Sequence, residues 1–173
     1  MTILGIDPGY AIVGFGLIRP EAGHLIPIEY GAIVTDAERK FPDRLQIIYN
    51  SMTQLFDRHR PDAMSIEKLY FNSNKTTAIG VAEARGVIVL AAAQHRVPVF
   101  EYTPLQVKNA VTGYGRAEKP QVMEMTRRML CLRQAPRPDD TADALALAIT
   151  HAQAAGTRLR KSFALGVLGE RPR

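Results

Sequence analysis

Residues 2–18 read TILGIDPGYAIVGFGLI. Two apolar runs, residues 2–6 and 14–18, flank Asp7-Pro8-Gly9, three turn formers in a row, so the stretch reads as strand, tight turn, strand. The β-branched run at 25–34 adds a third strand and makes a meander. Helical spacing takes over between 42 and 60, where Leu45, Ile48, Met52, Leu55 and Phe56 line one face and Arg44, Gln54, Asp57 and Arg58 suit the wet one. Residues 63–66 return to an apolar strand, with Glu67 at its exit.

Beyond a loop at 72–75 the pattern predicts a helix over 76–95. Its second half, 87–93, is apolar nearly all round and is expected to be buried, either in the core or against another subunit. VPVFEY at 97–102 is a short strand, 103–112 a helix, and Pro120 suits the first turn of the next, striped by Val122, Met125, Met129 and Leu132. The last helix is expected over 139–155. Strands first, then alternating helix and strand, predict an α/β fold with a mixed sheet carrying helices on its faces. Residues 1–155 read as a single domain, and 156–173 as a basic, flexible tail.

With 173 residues, 46% of them hydrophobic and 23% charged, the chain can bury one good core. Its single cysteine, Cys131, excludes an internal disulfide and reads as an ordinary core residue. Asp7 and Pro8 interrupt the opening apolar stretch, which lacks the basic start of a signal peptide, and no run reaches membrane-spanning length. A soluble, cytoplasmic protein is the expectation. The net charge of +5 is unevenly spread: residues 104–137 alone carry +5, and 138–155 carry −3. A basic block running into an acidic helix start suggests an anionic partner.

The carboxylates carry the chemistry. Asp7 and Glu67 each stand at the end of an apolar strand; if those strands are parallel neighbours, both emerge on the sheet edge where open α/β folds place their sites. Asp140 and Asp143, at i and i+3, share one face of the last helix, and Asp139 with Asp143 would serve almost as well. Such a cluster repels itself unless cations neutralise it, and hard oxygen donors suit Mg²⁺ or Mn²⁺. Two ions about 4 Å apart would suit phosphodiester hydrolysis. His24, His59, His95 and His151 are scattered and read as surface or packing residues. Gly5, Gly9, Gly14 and Gly16 are better explained by tight turns than by phosphate binding. Tyr70 and Phe71 fit either core packing or base stacking.

GIDPG with GFG following, SIEKLYF, AEARGVIV, TPLQVKNAVTGYGRAEKPQV and DDTADALALAITH together resemble the RuvC family of crossover junction endodeoxyribonucleases, over residues 2–155. The resemblance implies an RNase H-like fold, a mixed five-stranded sheet flanked by helices on both faces, and a homodimer that resolves four-way (Holliday) DNA junctions in recombination and repair. It implies paired, symmetric nicks leaving 5′-phosphate and 3′-hydroxyl ends, with two Mg²⁺ ions per site and Mn²⁺ as a substitute. Catalytic and metal-binding roles are carried over to Asp7, Glu67, Asp140 and Asp143, because the family's last motif is D-x-x-D followed by Ala-Leu; Asp139 then falls to helix capping. Lys108 and Lys119 match the family's junction-binding lysines, and Arg116 is expected to contact phosphate beside them. Tyr70 matches an aromatic that is usually phenylalanine, with Phe71 next to it, and Val13 stands where many relatives have threonine. RuvA and RuvB, the branch-migration proteins, are implied partners.

Three other readings compete with it: a related RNase H-like nuclease acting on RNA, an actin-like kinase or ATPase, and a junction binder without catalysis. The kinase needs a duplicated half and nucleotide motifs that are missing. The presence of all four carboxylates speaks against a non-catalytic binder.

Overall fold

The computed structural model describes residues 1–69 and 75–164. Three strands come first, β1 (Ile3–Asp7), β2 (Ile12–Glu21) and β3 (His24–Val34), then α1 (Phe41–His59), β4 (Ala63–Glu67), α2 (Lys75–Gln94) and β5 (Val99–Tyr102). The helices α3 (Pro104–Thr112), α4 (Lys119–Met129) and α5 (Asp139–Ala164) complete the order. One mixed sheet results, in the order β3-β2-β1-β4-β5. β1 pairs antiparallel with β2 and parallel with β4. This is the five-stranded α/β architecture expected from the sequence.

Both faces of β1 are covered, so its residues are sorted by parity. Leu4 and Ile6 join α1 and α2 in one core through Ile48, Met52, Phe56, Ala84 and Ile88. Ile3 faces the other core, built from α3, α4 and α5 through Val107, Val111, Val122, Leu145 and Ile149. Burying each such side chain contributes about 1.5–3 kcal/mol. Helix α5 is enclosed between the sheet and α3 and α4: Ala144, Leu145, Ala146, Leu147, Ala148 and Ile149 are all at most 1% exposed. That is why its sequence is apolar all round. No described helix is long and apolar enough to cross a membrane.

Several expectations need correction. Arg44 is buried rather than on the wet face of α1, with Nε donating to Thr35 Oγ1 at 2.9 Å and Nη2 to the Tyr10 carbonyl at 3.3 Å. Its cation also lies 4.6 Å from the centre of the Tyr10 ring, so the residue ties α1 to the turn after Asp7. Cys131 is exposed, at a left-handed φ of 53° just after α4, because the chain reverses there instead of entering the core. Helix α5 runs to Ala164, past the expected end at 155: Gly156 is tolerated within it, and nothing in 157–164 breaks a helix. In α2, Ile88, Ala91 and Ala92 are buried as expected, whereas Leu90 is 52% exposed. Tyr70 and Phe71 lie outside the described residues, as does 165–173.

Candidate active site

The parallel pairing of β1 and β4 aligns Ile6 with Ile66, so Asp7 and Glu67 leave the sheet side by side, one step further on. Parity sends both toward α5. The antiparallel partner of Asp7 is Gly14, and there the helix arrives: a Cβ on Gly14 would stand 2.0 Å from the Asp140 carbonyl oxygen. Gly5 and Gly16 are paired with each other in the sheet; a Cβ on Gly5 would stand 1.9 Å from the Ala144 carbonyl oxygen, and one on Gly16 2.6 Å from the Leu145 side chain and 3.0 Å from its backbone nitrogen. These glycines are strand residues, and their missing side chains admit the backbone of α5 rather than making turns as expected. Gly9 alone is in the turn, packed on the Ile12 carbonyl. Close docking brings the first turn of α5, with Asp140 and Asp143, over Asp7.

The electrostatics report that closeness. Burial first, then the charges of Asp143, Glu67 and Asp140, push the Asp7 carboxyl up to about 8, against a smaller opposing pull from Lys119. Burial and the neighbouring Asp143 likewise raise Glu67 above the ordinary carboxylate range. Asp143 is raised by burial although Lys119 bonds it, with Nζ 3.0 Å from Oδ2. Partial desolvation pulls Lys119 down, but that bond and the charges of Asp143, Asp139 and Asp140 outweigh it, and the ammonium is strengthened overall. Lys119, expected on phosphate, thus already serves as the cluster's own counter-charge.

Asp139 does not cap the helix. It is the first residue of α5 and accepts from Arg137 Nη1 at 2.6 Å, with Lys119 Nζ at 3.7 Å. Lys108 sits beside the acids: a cleft of about 180 Å³ is walled by Glu67, Asp143, Lys108 and Lys119 over Val107, Val122 and Leu147. Both lysines are carried by firmly started helices: Thr103 and Gln106 form a reciprocal capping box on α3, and on α4 the Glu118 N–H donates to Gln121 Oε1 at 2.9 Å. Arg116 is exposed between them and has no ion-pair partner among the described residues. His151 is a packing residue, buried against Phe100 and hydrogen-bonded to the Tyr102 hydroxyl at 2.8 Å.

Four acidic side chains at one sheet end are an all-oxygen donor set, the type a hard divalent ion takes. As they stand, no three Asp, Glu, His or Cys side chains among the described residues converge to enclose an ion. One of the donors, Asp143, is instead engaged by Lys119. The raised carboxyls mark a deficit of positive charge that such an ion would meet, and the donor set fits it in type and placement.

The family model described as crossover junction endodeoxyribonuclease RuvC matches residues 3–151. The chain belongs to the RuvC family. The RuvC of Brevibacillus brevis is 59% identical over 153 residues, 88% of this chain and 92% of that one. The solved structure of Thermus thermophilus RuvC has a TM-score of 0.84 at 35% identity, covering 91% of this chain and 97% of that one. A second structure of that protein, in complex with Holliday junction substrate, matches at 33% identity with the same TM-score, over 91% and 96% of the two chains. The yeast mitochondrial Holliday junction resolvase, 14% identical with a TM-score of 0.66 over 93% and 85%, shares the fold alone. RuvC membership makes the chain a crossover junction endodeoxyribonuclease, and so a hydrolase.

Proposed function

We propose that this chain resolves four-way DNA junctions in recombination and repair, with Asp7, Glu67, Asp140 and Asp143 as the catalytic set and two Mg²⁺ ions held among them. Mn²⁺ is the natural substitute. The reading is carried by one observation, the electrostatic coupling of acids from β1, β4 and α5 at a single sheet end beneath a lysine-walled cleft. When bound, the ions supply water activation and charge neutralisation at phosphorus, giving 5′-phosphate and 3′-hydroxyl ends. The chain's own part is to hold the acids and to position the strand. Asp7 and Glu67 are fixed by the sheet, Asp140 and Asp143 by the buried helix. Lys108, Lys119 and Arg116 take backbone phosphates, and a phosphate entering the cleft competes with Asp143 for the Lys119 ammonium. Tyr70 and Phe71 remain the proposed stacking residues at the crossover. The test is a mobile four-way junction incubated with the protein and Mg²⁺. Paired, symmetric, ligatable nicks are expected; cutting of linear duplex or of RNA at an equal rate would sink the reading.

A homodimer completes the proposal, because paired sites match the near two-fold symmetry of a junction. On α2, Ile79 at 61% and Leu90 at 52% exposure stand in one stripe with Glu83 and Gly86, and open space faces Gly86 where a second helix could approach. Leu90→Asp should therefore shift the protein from dimer to monomer in analytical ultracentrifugation. Paired cutting should then fall about 10-fold or more while single nicks persist, because one missing or charged anchor in an apolar interface typically weakens it by a few kcal/mol. An unchanged dimer would remove α2 from the interface. RuvA and RuvB are the proposed partners on the ground of the family resemblance, and the cytoplasm is the proposed compartment.

A further inference from the structure

We infer that Tyr114, on the turn between α3 and α4, stacks on a nucleobase left unpaired beside the crossover of the bound junction. The inference rests on the junction-binding reading and adds a residue to it. Tyr114 is 57% exposed, against 42% for Tyr30. Its hydroxyl has no hydrogen-bond partner among the described residues.

An aromatic ring in water is ordinary where the chain is loose, but here the backbone is pinned on both sides. Gly113 closes α3 in the left-handed conformation, φ 74°, with its N–H on the Asn109 carbonyl. The Thr112 hydroxyl donates to the Lys108 carbonyl at 2.8 Å and accepts from Tyr114 N at 3.2 Å. Ala117 N donates to the Tyr114 carbonyl at 3.1 Å. Gly115 lies against Leu105 and Asn109, where a Cβ would come within 2.5 Å of Leu105 Cδ1. The turn is thus built to hold this ring outward, and it joins the helix that carries Lys108 to the one that begins with Lys119, the two lysines of the acid-lined cleft.

Beside the ring lies a groove of about 470 Å³, with Tyr114, Pro120 and Met125 as apolar walls and Gln121, Glu124 and Arg128 as polar ones. Glu124 is ion-paired there with Arg127 at 2.8 Å and with Arg128 at 2.7 Å. An aromatic face with an amide, a carboxylate and a guanidinium nearby suits a base, which offers a π-face and hydrogen-bonding edges. The cationic residues on either side take the flanking backbone.

Binding measured in EDTA by fluorescence anisotropy, with linear duplex as a control, tests this. Tyr114→Ala should weaken junction binding about 10-fold, the scale of one lost base–aromatic stack. Tyr114→Phe should stay within about twofold, because the ring and not the hydroxyl makes the contact. With 2-aminopurine placed in turn next to the crossover, one position should be quenched by the wild type and by Tyr114→Phe but not by Tyr114→Ala. Circular dichroism checks that both variants remain folded. The inference is overturned if Tyr114→Ala binds junctions as the wild type does, if duplex binding weakens equally, or if Tyr114→Phe behaves like Tyr114→Ala. A wild type that does not bind junctions at all would instead overturn the function on which the inference stands.

Discussion

Asp7→Asn should lower junction cleavage in Mg²⁺ by at least about 10³-fold while junction affinity in EDTA stays within about threefold. Losing a carboxylate from a two-ion site removes several kcal/mol of transition-state stabilisation, whereas the lysine side chains that take phosphates are unchanged. Full cleavage by this variant would refute the metal assignment. Stability should move the other way. In the unfolded chain Asp7 titrates near 3.8, and in the folded one burial and its acidic neighbours push it to about 8. Between those values the folded chain keeps a proton that the unfolded chain has lost. This contribution to metal-free stability is therefore complete below about pH 4 and declines as pH rises through about 8. Urea midpoints of the EDTA-treated protein should fall across that window, and Asp7→Asn should flatten the slope. Equal slopes for wild type and variant would show that the fold does not hold Asp7 protonated.

A single methyl group at Gly14 or Gly5 should be among the most damaging changes available outside the acids. The added Cβ would lie 2.0 Å from the Asp140 carbonyl in one case and 1.9 Å from the Ala144 carbonyl in the other, and both obstacles are helix backbone that no rotamer change can move aside. Overpacking of that kind costs about 3 kcal/mol or more, which for a chain of this size lowers Tm by roughly 10 °C. Because the clash is relieved only by lifting α5, Asp140 and Asp143 move away from Asp7. Cleavage should fall about 100-fold even at temperatures where the variant is folded. Gly156→Ala serves as the control: a Cβ there meets nothing within 4 Å, and the change should be neutral or slightly stabilising. A Gly14→Ala protein melting within about 2 °C of the wild type would sink the docking argument.

Those glycines also mark where sequence reading stopped. Short apolar runs located all five strands, and the strand-end acids could be found because a charge after Ile6 or Ile66 ends such a run at an informative place. Gly5, Gly14 and Gly16 were legible as residues but not as a surface. Their common face emerges only when Gly5 is set opposite Gly16, and Gly14 opposite Asp7, in the β1–β2 register. Period-two spacing of Gly14 and Gly16 opposite an alanine-rich helix was the available signal. Arg44 escaped for a similar reason, since helical spacing assigns a face but does not reveal that Thr35 and the Tyr10 carbonyl wait there to receive a guanidinium. Lys119 was found by resemblance and placed on phosphate, but its bond to Asp143 depends on α4 lying across α5, which no local pattern encodes.

Helix α5 both covers the sheet and carries half of the acids, and it is the last of the described elements in chain order. On the ribosome, Asp7 is therefore made early and waits through almost the whole synthesis for Asp140 and Asp143. Until those residues emerge, the β1–β2 hairpin has an uncovered glycine face and the strand-end carboxyls have no helix above them. On the proposed assignment, a chain ended before α5 would lack half of the acids and the helix that closes the second core, and so should not cut DNA.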